Sequence, residues 1–440
     1  MKSSHYLLFF LGCLLFACTF EELSVETNAV QLSFSEDIII FDTVLAGFRT
    51  TTQRLRVYNP SAKTIYIDYI GLKNATNSPF SLMIRGKKAT TFSNVELLGR
   101  DSLLILVEAT FANTLQSEIN QRLDSLIFTQ KDQTQTVLLL AWGQPVELIR
   151  QGSIAQNTFW SKNKPYVVMD SVVVQVGATL TIEDSARVFF FNQAYMQVYG
   201  NLKAVGQAQK WIQMRGFRQE AELSEQAGQW QGIRLAANST AELQFVELKN
   251  AQTALWLQGK GIEATPSYQL RNVLIQNMTQ YGIRADNADW YAENLLVNFC
   301  TQALVYCTQG GRSEIIHATL FNAEGRVSPS VVINDLKTVL QLKWTNTIVW
   351  GSRNEEFSLP TSNLSATWQH CLVKSLLTSV FEGNQNIRNT DPLFVDTKNR
   401  DFILKTNSPA IGKASEGSVS KDIRGKTRLS PKDIGAYESD

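Results

Sequence analysis

Between Arg284 and His317 the chain gathers residue types that readily do chemistry: Arg284, Asp286, Asp289 and Glu293, then Arg312, Glu314 and His317. Within the repeating part of the chain, this is the place where three acids fall within eight residues with an arginine on each flank. Carboxylates held close together either recruit a cation such as Ca²⁺ or raise one another's pKa and become an acid/base pair. A nearby arginine would be the cationic partner for a sugar acid. The same residues also make a polar turn beside a solvated strand edge, with ion pairs worth less than about 1 kcal/mol each. No Gly-x-Ser-x-Gly, no phosphate-cradling glycine loop with lysine and no His-Glu-x-x-His accompanies them. His5, His317 and His370 show no ligand spacing to the cysteines, so Ca²⁺ is the one cofactor this patch suggests.

Whether those groups converge depends on the elements that carry them. Four segments are self-similar: Leu243–Leu255 aligns on Asn250, Leu270–Ile283 on Asn277, Ala292–Leu304 on Asn298 and Ile315–Gly325 on Asn322. Their intervals of 27, 21 and 24 residues suit one coil of a solenoid each. Two residues before each asparagine stands Leu248, Ile275, Leu296 or Leu320, so period-2 alternation turns one file inward. The asparagines share that parity. They are expected to stack as a buried amide ladder, scaffold rather than site. Three residues before them stand Glu247, Leu274, Leu295 and Thr319, and five before stand Phe245, Asn272, Glu293 and His317. Neither file is acidic, which counts against a lyase or glycosidase built on a carboxylate ladder. Among the tryptophans, Trp211, Trp230, Trp256, Trp290, Trp344, Trp350 and Trp368 would fill the core or offer sugar-stacking platforms.

Composition bounds the rest. The 440 residues carry 41 Lys+Arg against 40 Asp+Glu, a net charge of +1, which removes the electrostatic case for a nucleic-acid partner. With 18% charged and 44% hydrophobic residues, neither disorder nor coiled coil fits, and an all-β fold does. At the N-terminus, Met1-Lys2 precedes an apolar run from Tyr6 to Phe16, shorter than the roughly 20 residues that span a bilayer. The run ends Leu15-Phe16-Ala17-Cys18 and resembles the lipobox of bacterial lipoproteins, with Phe10-Leu11-Gly12-Cys13 as a competing match. The resemblance implies a signal peptide over 1–17, a lipid on Cys18 as the membrane contact, a tether over 18–28 and residence in the cell envelope, on the outer membrane. Cys300, Cys307 and Cys371 would remain, an odd count better suited to buried thiols than to a disulfide framework.

Residues 29–148 show about seven short apolar runs, among them Ile38–Val44, Arg54–Tyr58, Ile65–Ile70 and Leu103–Val107, broken by Asn59-Pro60-Ser61 and Arg85-Gly86-Lys87-Lys88. This stretch resembles the Ig-like β-sandwiches of bacterial envelope proteins, without a Cys…Trp…Cys trio. Over 149–440, glycine corners such as Gly177, Gly200 and Gly232 punctuate short strands with no helical pattern between them. That rhythm resembles a right-handed parallel β-helix of the pectate-lyase kind. Asn389-Thr390-Asp391-Pro392, Asn407-Ser408-Pro409-Ala410-Ile411-Gly412 and Asp433-Ile434-Gly435-Ala436-Tyr437-Glu438 follow. With Asn346–Gly351 they resemble the choice-of-anchor Q domain over about 346–438, although Gly412-Lys413-Ala414 replaces the acid and glycine common there. The expected function is a lipid-anchored envelope or surface protein acting as a non-catalytic binding or adhesion module for polysaccharide or envelope proteins. The alternative is a β-helix that binds and cleaves polysaccharide as a lyase or hydrolase.

Overall fold

The computed structural model describes residues 24–113, 119–220, 223–322, 328–417 and 419–439. Cys18 and Cys13 lie outside them. The fold is nearly all β, and the chain divides into two compact units, Met1–Pro145 and Val146–Asp440.

The first unit holds two five-stranded sheets around one apolar core. Alternation does the work: Ser102–Ala109 buries every second side chain, as does Phe80–Ile84. Turn chemistry sets the register. Arg85 and Gly86, both at positive φ, form a two-residue hairpin that brings Ile84 opposite Lys87. Asn59 is buried and accepts the Ser61 N–H while donating to the carbonyls of Lys63 and Leu98, which fixes the turn at Pro60.

The second unit is a parallel sheet of 22 strands wound as a β-solenoid, with one helical turn, Thr378–Phe381, among the described residues. No helix among these residues is long and apolar enough to cross a membrane. One buried file runs through eight coils: Val188, Met214, Leu248, Ile275, Val297, Leu320, Val349 and Val373, each opposite the next. Trp230, Trp290, Trp344 and Trp368 fill the same core, Trp230 stacked on Phe190 at 3.9 Å. Cys300, Cys307 and Cys371 are buried, and burial pushes the Cys307 and Cys371 thiols up to about 12.

The four aligned asparagines are all buried, but they do not form one file. Asn250 and Asn277 do stack, both at left-handed φ, with the Asn277 amide donating to Asn250 Oδ1 at 3.3 Å. Asn298 instead stands opposite Gln276, and Phe299 takes the left-handed position. The coil between is therefore one residue out of the register that the asparagines suggest. Its inward residue is Val297, while Leu296 faces outward. Asn322 donates to the Cys300 carbonyl, and the Asn298 amide has no hydrogen-bond partner among the described residues.

A second bend carries a more regular ladder. Phe245, Asn272, Asn294, His317, Asn346 and His370 occupy it on successive coils, all with φ between 49 and 56°. Asparagine tolerates this left-handed backbone better than most residues. These side chains grip the C-terminal segment. Asn272 donates to the Asp422 and Ile423 carbonyls and Asn294 to the Lys421 carbonyl, and His370 Nδ1 meets the Lys413 carbonyl at 2.8 Å. The segment then lays Phe394, Phe402, Leu404, Ile423 and Ile434 against the outward residues Leu296, Ile348 and Leu372, a core of its own outside the solenoid.

Candidate functional site

The structure separates the acids between Arg284 and Glu314 into individual pairs. They share a continuous strand, Tyr281–Cys300, and its neighbour, Ala303–Asn322. Asn287, at φ 49°, puts a corner and a register shift between Asp286 and Asp289. Asp286 takes a two-pronged contact from Arg284, at 3.0 Å from Nε and 3.0 Å from Nη2, and accepts the Trp256 indole N–H at 2.8 Å. Beyond the corner, Asp289 is 1% exposed and holds Arg312 through two 2.8 Å bonds. It also accepts the Glu263 N–H at 2.8 Å, while Arg312 donates to the Glu263 carbonyl, so this pair clasps the loop that carries Glu263.

Glu293 accepts the Tyr291 hydroxyl at 2.8 Å and faces Arg271 at 3.9 Å. Burial, with the Glu293 charge, raises the Tyr291 pKa. Glu314 pairs with Lys343 on the next coil at 2.9 Å. No group of three or more His, Cys, Asp or Glu side chains among the described residues is arranged to hold a metal ion. Each candidate acid thus has its own cation or hydroxyl donor. The arrangement is a set of clasps.

What the register brings together on this side is a file of arginines and aromatics. Arg234, Trp256, Arg284 and Tyr306 occupy the same outward position on four successive coils. All are half-buried. The Arg284 guanidinium carbon lies 4.3 Å from the Trp256 ring centre and 5.8 Å from that of Tyr306. Arg234 sits 5.6 Å from Trp256 and 5.2 Å from Tyr195. Cation–π contacts of this kind hold flexible arginines in place at low entropic cost. The Trp256 ring thus has guanidinium neighbours on both adjoining coils. Arg234 has one side-chain partner, Gln231 Oε1 at 2.6 Å, which leaves guanidinium N–H groups uncommitted among the described residues.

Trp256 was visible in the sequence as a strand tryptophan, and Arg284 as a member of the acidic patch. Arg234 and Tyr306 were not singled out, because coil lengths differ and only the strand pairing aligns them with Trp256 and Arg284; nor was Tyr195, which stands opposite Gly232 beside the file. The signal that would find Arg234 is an Arg or aromatic two residues after a Gly or Ala corner, a spacing that Gly232–Arg234 shares with Ala254–Trp256 and Gly282–Arg284.

No family model matches the sequence, and no curated protein matches it. Among solved structures, a family 123 glycoside hydrolase from Clostridium perfringens, described for glycolipid glycan hydrolysis, is similar at 7% identity and a TM-score of 0.19. The match covers 30% of each chain. A likeness this slight bears on neither fold nor activity.

Proposed function

We propose that this protein is a lipid-anchored cell-envelope lipoprotein whose solenoid binds glycans without cleaving them. In this reading residues 1–17 are a signal peptide and Cys18 carries the lipid that holds the chain on the outer membrane. The first unit is an Ig-like spacer. The second is a right-handed β-helix closed by a choice-of-anchor Q region. The observation that carries the binding role is the file Arg234, Trp256, Arg284 and Tyr306, with the Tyr195 ring beside Arg234. It is a pre-ordered row of guanidiniums and aromatic rings, repeated at the strand spacing of about 4.8 Å and with uncommitted N–H groups on Arg234, which suits a chain-like ligand rich in acceptor oxygens.

The non-catalytic part of the proposal is supported by the state of the acids. A general acid needs a carboxyl free to donate, and Asp286 and Asp289 are each held in a two-pronged contact with an arginine. A polysaccharide panel tests both halves: retention of at least one polymer with no release of reducing ends or unsaturated uronates is expected. Release of such products would establish an enzyme instead. Radioactive palmitate incorporation should disappear in Cys18→Ala, and incorporation lost only in Cys13→Ala would move the anchor.

A further inference from the structure

A groove of about 510 Å³ lies beside the C-terminal segment on a different outward file of the solenoid. Along that file Arg187, Gln213, Glu247 and Leu274 stand opposite one another on successive coils. Beyond Leu274 the C-terminal segment covers the file. Before it, Arg187, Gln213 and Glu247 line the groove together with Lys210, Trp211, Arg424 and Tyr437. The volume falls within the range of small-molecule sites.

The lining has a definite chemistry. Arg187, Lys210 and Arg424 line the groove with the carboxylate of Glu247, and the buried Asp422 pairs with Arg424. Asp422 holds Arg424 at 3.0 Å through Nε, and the Glu438 carbonyl holds Nη2 at 2.8 Å, which fixes the guanidinium over the Tyr437 ring. Glu247 accepts the Gln276 amide at 2.7 Å. The Lys210 ammonium has no hydrogen-bond or ion-pair partner among the described residues, and neither do the Gln213 amide, the Trp211 indole N–H or the Tyr437 hydroxyl. The Trp211 ring is braced edge-on by Phe245 at 5.5 Å. An uncommitted ammonium, a fixed guanidinium, an aromatic ring held in place and three uncommitted neutral hydrogen-bonding groups meet in one concavity.

We infer that this groove binds an anionic pyranose, a sugar ring carrying a carboxylate or a phosphate. Lys210 and the fixed Arg424 take the anion, Trp211 packs against the ring, and Gln213 and the Tyr437 hydroxyl bond its hydroxyls. The inference rests on the reading of the solenoid as a glycan-binding surface but uses none of the residues of the Arg234–Trp256 file. A carboxylate would come from an acidic polysaccharide, and a phosphate from a glycolipid headgroup.

Ligand-observed NMR titration of the full chain with glucuronate, glucose 1-phosphate, methyl glucoside and inorganic phosphate separates the cases. Both anionic sugars should bind and compete, each at least tenfold tighter than methyl glucoside, and glucose 1-phosphate tighter than inorganic phosphate. The tighter of the two anionic sugars names the source. Lys210→Glu, at an exposed position, should weaken both at least tenfold. Trp211→Ala should reduce glucose 1-phosphate to the level of inorganic phosphate, and Arg234→Ala should change neither. Equal binding of glucuronate and methyl glucoside, or anion binding untouched by Lys210→Glu, would overturn the groove site. Polymer binding that is lost in Arg234→Ala while the groove ligands fail leaves the glycan-binding reading standing, whereas loss of all glycan binding in the wild type sinks both.

Discussion

Along one outward file of the solenoid, Leu274, Leu296, Ile348, Leu372 and Ile387 pack beneath the C-terminal segment, whereas Arg187, Gln213 and Glu247 of the same file line an open groove. The backbone is the same parallel ladder in both stretches, so the difference lies in the side chains and in what they meet. Apolar outward residues create a face that must be covered, and the chain covers it with its own last fifty residues. Polar outward residues leave a face that water or a ligand can occupy. A solenoid can thus hold a stability region and a recognition region on one side of one sheet, a few coils apart.

The covered stretch depends on buried polar pairs as well as on apolar contact. Arg428 is fully buried and donates to the carbonyls of Gly435 and Ala436, to Asn294 Oδ1 and to the Glu438 carboxylate. Removing one partner leaves the other charge buried and unpaired. Arg428→Leu should cost about 3–5 kcal/mol and release the C-terminal segment to protease, read by urea unfolding and limited proteolysis. Unchanged stability would mean that the segment is held by apolar contact alone. Ile348→Ala, in the covered file, should cost about 2–4 kcal/mol, while Gln213→Ala in the open stretch should stay within about 0.5 kcal/mol in the same unfolding experiment. Equal costs would erase the contrast between the two stretches.

His317 gives the covered region a pH dependence. The Ser415 N–H donates to Asn346 Oδ1, so the Asn346 amide nitrogen faces His317 Nε2, which accepts. His317 Nδ1–H then donates to the Gly435 carbonyl, and the ring is neutral. Burial first, and then the Arg428 charge, hold its pKa well below the ordinary histidine value of 6.5. The unfolded chain therefore takes up a proton that the folded chain refuses. Stability contributed by this group is present above pH 6.5 and falls as the pH drops below it. Unfolding measured from pH 7.5 to 5 should show that decline in the wild type and a shallower one in His317→Asn. Parallel slopes would contradict the neutral buried ring.

Much of the fold was legible from spacing. The alternation in 29–148, the glycine corners and the repeat of apolar residues before each asparagine anticipate two sheets followed by a parallel coil. The one-residue slip at Asn298 was not legible, because Leu296 and Val297 are both apolar and both buried, one under the C-terminal segment and one in the coil. Sequence parity cannot tell a face covered from outside from one covered from within. The candidate patch failed to converge for a related reason: Asn287 places a corner inside what spacing reads as a simple turn. The slip makes its own prediction. Asn277→Ala should cost about 1–2 kcal/mol, since it loses its bonds to Asn250 and Arg400 and strains a left-handed position. Asn298→Ala removes an amide with no partner among the described residues and should be close to neutral by the same urea unfolding.

The central claim is that the open arginine–aromatic file exists for a ligand and the covered region for the fold. Its most direct test is to measure, on the same samples, glycan affinity and unfolding free energy for wild type, Arg234→Ala and Ile348→Ala. The account predicts at least a tenfold loss of affinity with stability within about 0.5 kcal/mol for Arg234→Ala, and the reverse pattern for Ile348→Ala at temperatures where it remains folded. Affinity that survives Arg234→Ala unchanged while stability falls would contradict it.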